Sequence, residues 1–520
     1  MGYLNELNEQ WVEAYRRVSP AWLVLMIDQA DQQLNAYFET LKLDEPAKIA
    51  VGWAGKTQSA NWFDIAREYI ERWLHQQHIR EAVGQPLLLA RPFAFSLADR
   101  SCTCTICQRS EYSRYTGRMS DPLLRWRDEF PILEHTTYLI SNSLGAMPRG
   151  VAAELQAYAD LWATRGVRAW NEGWWDSPIA VGDEVGKIIG AEPGSVSMHT
   201  NVTTAAAISL STFKFTPQRN KIIMTDMDFH STLYVHQGLV DWLRDAGSAV
   251  HIERVKSDDG ITINLDKLLS AIDEHTALVA LSHVLFKSAF VQDVAAIIQR
   301  AHAVGAQVAL DVFHSAGIVP LDVTQLDVDF VYGGVLKWLC GGPGGAFLYV
   351  NPRIAPHTEP KLTGWMAHEH PFAFEPDMHY APDGTRFLLG TPQVACLYAA
   401  RPGLDIINQI GIPAIRANSL HQVGLLMELA AERGYKVTTP TRPEQRGGTI
   451  AIDLGEVTQA VSLELKRREV LVDFRPGAGI RISPHFYTRD EECAHAIREI
   501  EAILSTKAYE HFLGEKPTVT

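Results

Sequence analysis

Between Ala306 and Val350 the chain sets three groups capable of chemistry at the ends of apolar runs. Asp311 and His314 mark the end of Ala306–Val312, Lys337 follows Phe330–Val335, and a third run, Gly345–Val350, closes the stretch. Taken singly, an Asp at a strand end commonly caps a turn, and a Lys beyond a strand is commonly a solvated loop charge. Together they form the pair that an enzyme using pyridoxal 5'-phosphate (PLP) needs. The amine forms a Schiff base with the cofactor aldehyde, and the carboxylate keeps the pyridine nitrogen protonated so that the ring accepts electrons. The run Gly341-Gly342-Pro343-Gly344-Gly345 lets backbone approach a bulky group. Trp338, beside the lysine, is costly to leave in water.

A phosphate also needs a place. The stretch MHTNVTTAA reads as a strand running into a helix start, where free backbone N–H groups and the helix dipole favour an anion. Thr200, Asn201, Thr203 and Thr204 are therefore phosphate candidates, although helix capping alone also selects such residues.

These groups need elements to position them. Strand-like runs occur at Ser195–His199, Lys221–Asp226, Ala249–Val255, Ala277–Val284, Ala306–Val312, Phe330–Val335 and Gly345–Val350, with helical runs between several of them. That alternation predicts an α/β fold with a seven-stranded, mostly parallel sheet, ligand groups standing at strand ends. After about Pro402 the pattern becomes helix Ala414–Arg433, strands Lys436–Thr439 and Thr449–Asp453, helix Ser462–Arg468, strands Val470–Phe474 and Gly479–Ser483, and helix Asp490–Leu504. The expected organisation is a helical segment at 1–90, a linker at 91–126, a large domain at 127–402 and a smaller α+β domain at 403–520.

The helical segment shows apolar residues at three- and four-residue spacing over Leu4–Arg17, Ala21–Leu41 and Trp62–Val83. His75 and His78 can share one helix face, but a metal centre needs further ligands. Cys102, Cys104 and Cys107 lack a fourth ligand at a standard interval, so no metal site is expected.

With 46% hydrophobic and 21% charged residues in 520, the chain has the composition of a globular protein able to bury a large core. A net charge of −14 argues against nucleic-acid or anionic-membrane partners. No apolar run approaches the roughly 18 to 20 residues of a membrane span. Six cysteines are too sparse for a disulfide framework, and MGYLNELNEQ carries no export signal. A cytoplasmic protein is expected.

The Asp311–Lys337 segment, with its Gly-Gly-Pro-Gly loop, resembles the cofactor-binding region of fold-type I PLP enzymes of the class V aminotransferase group, and most of all kynureninases. TYLISNSLGAMPRG around Tyr138 and RGVRAWNEGWWDSPIAVGDEVGKIIGAEPGSV resemble the same family. REYIERWLHQQHIREAVG resembles half of a DinB or maleylpyruvate-isomerase helical bundle. The kynureninase resemblance implies catalytic roles for Lys337, Asp311 and His314, with His314 hydrogen-bonding near the cofactor. It puts Phe229 over the cofactor ring, with His230 as the alternative, and Trp365 at the phosphate. It sets Thr391 beside the substrate and Arg481 on the substrate α-carboxylate, a planar fork suiting that anion. Arg475 reads as a structural or rim charge. Two positions depart from the family: Leu336 stands where a Tyr usually contacts the phosphate, and Thr391 where an Asn contacts the aromatic substrate. The implied activity is hydrolytic Cβ–Cγ cleavage of a kynurenine, in tryptophan catabolism, by a homodimer. A transaminase, cysteine desulfurase or lyase reaction on another amino acid is the first alternative, and a non-catalytic PLP-fold scaffold with an interaction module the second.

Overall fold

A computed structural model describes residues 122–515. The helical segment at 1–90, with His75 and His78, and the cysteines at 102–107 lie outside the described residues.

After 3-10 turns at Pro122–Glu129 and Pro131–Glu134 come strand β1 (Thr137–Tyr138) and helices α1 (Gly150–Arg165) and α2 (Ser177–Ile189). Strands and helices then alternate through β2 (Val196–His199), α3 (Val202–Ser211), β3 (Lys221–Thr225), α4 (His230–Asp245), β4 (His251–Val255) and α5 (Leu265–Ala271). The alternation continues with β5 (Thr276–Ser282), α6 (Val294–Ala303), β6 (Gln307–Asp311), α7 (Val323–Leu326), β7 (Phe330–Gly334) and β8 (Ala346–Val350). All seven expected strands lie in one sheet, in the order β2-β8-β7-β6-β5-β3-β4. Their apolar runs are continuous because both faces are covered. Along β5, Val279 and Leu281 enter one core while Leu278 and Ala280 enter the other, as the two-residue period of a strand dictates. Edge strand β4 instead leaves the polar His251, Glu253 and Arg254 exposed.

Strand β8 alone runs against its neighbours β2 and β7. Residues 335–345 between β7 and β8 contain no helix, and a parallel return needs a longer crossover. The chain therefore turns back sharply, and Lys337 sits in that turn. Gly145 makes the turn possible from the other side. Its N–H donates to the Leu336 carbonyl at 2.8 Å, and a Cβ there would collide with the Lys337 carbonyl oxygen.

Beyond the sheet come α8 (Val394–Ile410), α9 (Ile412–Glu432), β9 (Lys436–Val437), β10 (Ile450–Asp453), α10 (Thr458–Arg467), β11 (Val470–Leu471), β12 (Asp473–Arg475), β13 (Gly479–Ile482) and α11 (Asp490–Thr506). Strands β12-β13-β10-β9 form an antiparallel sheet over a third core, while β1 pairs with β11. Two boundaries differ from the sequence expectation. Pro402 stands inside α8, its ring 3.2 Å from where a Cβ on Gly150 would be, so a close contact with α1 holds a residue that costs a helix one hydrogen bond. Helix α10 starts at Thr458 instead of Ser462, because Thr458 accepts from Leu454 N at 3.0 Å and donates to Gly455 O at 2.6 Å. Among the described residues no helix is long and apolar enough to cross a membrane.

Candidate active site

The parallel strands deliver their last residues to one edge of the sheet, where loops and helix starts converge. Asp311 is the last residue of β6 and is 4% exposed. Its carboxylate accepts from Thr232 Oγ1 and from Phe313 N, both at 2.9 Å. Both donors are neutral, and burial raises its pKa against the pull of these two hydrogen bonds and of the Lys337 charge. A dry carboxylate held by neutral groups is poised for a cationic partner, and a protonated ring nitrogen is one. Tyr332, its register partner on β7, has a buried hydroxyl without a hydrogen-bond partner. Burial, then Asp311 and Asp228, hold that hydroxyl well above the usual phenol range.

Lys337 lies just beyond β7 and is half-buried. Burial, with Arg481 next, pushes its amine down to about 7, so a large share is free base at neutral pH. Nζ lies 2.7 Å from His314 Nε2, 4.2 Å from the centre of the Phe313 ring and 5.5 Å from that of Phe229. His314 is held well below the usual imidazole pKa by burial and by the Lys337, Arg481 and Arg475 charges. A neutral imidazole can accept a hydrogen bond from the lysine ammonium or, in its other tautomer, donate one to the free amine.

Arg481, in the middle of β13, is 3% exposed. One Nη donates to the Phe286 carbonyl at 2.7 Å, and the other meets Asp473, its register partner on β12. Its Nε is buried without a partner, a donor left for a ligand carboxylate. Arg475 contacts the second oxygen of Asp473. The carboxylate shared by the two arginines is fully buried.

At the other end, Asn201 caps α3, its side chain accepting from Thr204 N at 2.9 Å. Thr200 and Thr204 hydroxyls stand 3.2 Å apart. With His199, Thr391 and Gln393 they line a small cavity of about 70 Å³. Thr203, one residue into α3, does not line it. Trp365 adjoins Met366 of that cavity and packs edge-on against Trp175 at 5.5 Å, within an aromatic group that includes Phe372. Phe229, not His230, faces the lysine; His230 is exposed and turned towards Tyr234.

The structure thus gathers Asp311, His314, Lys337, Phe229 and Arg481 at one place, and Thr200 and Thr391 at a neighbouring cavity. Sequence reasoning missed Thr232, Phe313, Phe286 and Asp473. Asp473 and Arg481 are eight residues apart, a separation that a short hairpin closes, so alternation on two strands was a usable signal. Nothing local marks Thr232, whose role depends on where α4 ends up.

PLP suits this arrangement. Asp311 would hold the ring nitrogen, Lys337 the aldehyde carbon, Phe229 or Phe313 the ring face, and Thr200 and Thr204 the phosphate. The family model for class-V aminotransferases matches residues 137–487. A kynureninase of Pseudomonas fluorescens is 31% identical over 75% of this chain and 94% of its own length. A Bacillus subtilis (strain 168) protein named uncharacterized aminotransferase YcbU is 32% identical over 73% of this chain and 97% of its own. Among solved structures, a cysteine desulfurase of Thermococcus onnurineus NA1 superposes with a TM-score of 0.65, at 21% identity, over 75% of this chain and 99% of that one. The cystine C-S lyase C-DES also gives 0.65, at 20% identity, over 71% and 98%. The fold is that of fold-type I PLP enzymes, and this chain belongs to the class-V aminotransferase family, with pyridoxal 5'-phosphate as its cofactor.

Proposed function

We propose that this protein cleaves the Cβ–Cγ bond of a kynurenine-type 2-amino-4-oxo acid by adding water, giving alanine and an aryl acid. The observation that carries the reading is the placement of Lys337 Nζ 2.7 Å from His314 Nε2, in a setting that lowers the amine to about 7, beside a buried arginine with a free Nε. Kynureninase relatives at 30–31% identity support the same reaction.

When bound, the cofactor supplies an electron-accepting ring. Arg481 grips the substrate α-carboxylate and fixes Cα in register with Lys337. The lysine, about half free base near neutrality, takes the Cα proton, and His314 orients Nζ by accepting a hydrogen bond from it or donating one to it. Burial disfavours the ionised Asp311, so a cation facing it, such as a protonated ring nitrogen, favours its charge, which ties ring protonation to its own ionisation. The overall balance is simple: water adds to the γ-carbonyl, the Cβ–Cγ bond breaks, and Cβ takes up a proton. Trp175 and Trp365 offer an aromatic wall for the side chain of the substrate. We extend the proposal to a homodimer, because Trp162 and Val167 on and after α1 are 61% and 81% exposed beside an aromatic cavity of about 580 Å³.

Leu336 and Thr391 favour a second reading, a transaminase, desulfurase or lyase reaction on another amino acid. Purified protein loaded with PLP and offered L-kynurenine, 3-hydroxykynurenine and L-cysteine separates the two. Release of anthranilate or its 3-hydroxy analogue supports the first; release of neither removes it. Borohydride reduction of the loaded protein, followed by peptide mapping, is expected to put the label on Lys337. A label on another lysine overturns the site itself.

A further inference from the structure

Around the end of β5 and the loop before β10, three buried nitrogens lack partners. They are Arg416 Nη1 on α9, Arg446 Nε in the loop before β10, and His283 Nδ1 just past β5. They belong to one neighbourhood. Arg416 Nη2 donates to the Arg446 carbonyl at 2.8 Å, and His283 lies in the field of Arg416. A Cβ on Gly447 would stand 3.0 Å from Val284 Cγ1, so the residues following Arg446 and His283 touch. Gly447 N also donates to Ala289 O at 2.7 Å, and Val291 N to Gln445 O at 2.9 Å.

The remaining donors of the two guanidiniums hold backbone carbonyls and, for Arg446, the Met427 sulfur at 3.2 Å. Arg416 reaches the Pro443 carbonyl, and Arg446 reaches those of Thr441 and Leu420. Among the described residues neither arginine forms an ion pair. Glu428 and Glu444 are felt by Arg446 without pairing to it. Arg446 is 8% exposed and His283 4%. Burial, and then the neighbouring Arg446 charge, lowers Arg416 to about 10. Two cations confined together with unfilled N–H groups cost free energy unless a negative charge joins them.

We propose that Arg416, Arg446 and His283 form a binding site for a small monovalent anion, a halide or the carboxylate of a small organic acid, at the joint between the large sheet and the small domain. The anion accepts from Arg416 Nη1, Arg446 Nε and the protonated nitrogen of His283, taken as its Nδ1 tautomer. Its effect reaches the active site through one backbone hydrogen bond, since His283 N donates to the Asp311 carbonyl at 2.9 Å. An anion here holds the 441–447 loop against the end of β5 and stiffens the backbone that carries Asp311.

The test uses the full-length, PLP-loaded protein. Crystals soaked in sodium bromide are expected to show an anomalous peak within hydrogen-bond reach of Arg416 Nη1 and Arg446 Nε. In solution at constant ionic strength, replacing bulky gluconate with chloride or formate should raise Tm by about 2 °C or more. The Arg416→Met variant should show no such rise. A rise with formate but not chloride assigns the site to a carboxylate; a rise with both assigns it to small anions generally. An ordered water in place of bromide, or bromide in the crystal with identical Tm values in gluconate, chloride and formate, overturns the proposal. The wild-type measurements decide this even if Arg416→Met fails to fold.

Discussion

Asp473 is the buried carboxylate that Arg481 and Arg475 share, and Asp473→Asn is the sharpest perturbation of that cluster. Asp473 and Arg481 are 0% and 3% exposed as side chains, whereas Arg475 keeps 18%. Removing one partner of a buried pair costs about 3–5 kcal/mol, because the other charge is stranded. Asparagine retains one acceptor oxygen, and Arg475 recovers some hydration, so the lower end, about 3 kcal/mol, is expected. The electrostatic consequence has a definite sign. Asp473 raises the Lys337 amine while Arg481 and Arg475 lower it, so the variant should carry Lys337 further below about 7. Urea unfolding measures the first effect, and the pH dependence of PLP capture by the apoprotein measures the second, with its midpoint moving to lower pH. Adding Arg475→Met should recover part of both losses, since one stranded cation is gone. A destabilisation under about 1 kcal/mol together with an unmoved capture midpoint would refute the assignment of Asp473 as the buried counter-charge.

Four buried imidazoles, His199, His236, His283 and His485, are lowered to about 4 by burial. A depressed imidazole contributes stability above its unfolded pKa of about 6.5 and loses it as pH falls through 4. Asp228, raised to about 6 by burial, works the other way, being stabilising when protonated. The net is about three protons taken up on unfolding between pH 6 and 5, at most about 4 kcal/mol per pH unit. Urea midpoints that stay level from pH 7 to 5 would contradict it. Thr232→Val removes the hydroxyl bonded to Asp311 at 2.9 Å and should weaken PLP binding by about 2- to 12-fold, the range of a single hydrogen bond. Fluorescence titration of the apoprotein with PLP reads this, and an unchanged Kd would show that the hydroxyl does not tune Asp311.

The chemistry of this chain was legible wherever it coincided with a strand end. Asp311 terminates β6 and Lys337 follows β7, and continuous apolar runs such as Val308–Leu310 and Phe330–Tyr332 betray strands covered on both faces. Thr200 was legible for the same reason, since β2 ends at His199 and a helix must start soon after. The illegible residues reach the site through tertiary placement. Thr232, near the start of α4, reaches Asp311 79 positions away, and Phe286, in the turn after β5, offers its carbonyl to Arg481. Asp473 lies between the two kinds, hidden in sequence yet fixed once β12 pairs with β13. This division has a physical cause. Backbone direction is set locally by apolar periodicity, so whatever terminates a strand is declared by its neighbours in sequence. The partners that tune a charge are chosen by burial, which is decided by chain segments tens or hundreds of residues away. Arg481 and Phe286 are 195 positions apart, and no window of sequence around either residue contains the contact that orients the guanidinium. The Lys337 amine near 7 is therefore a property of the assembled fold, even though the residue itself could be found in the sequence.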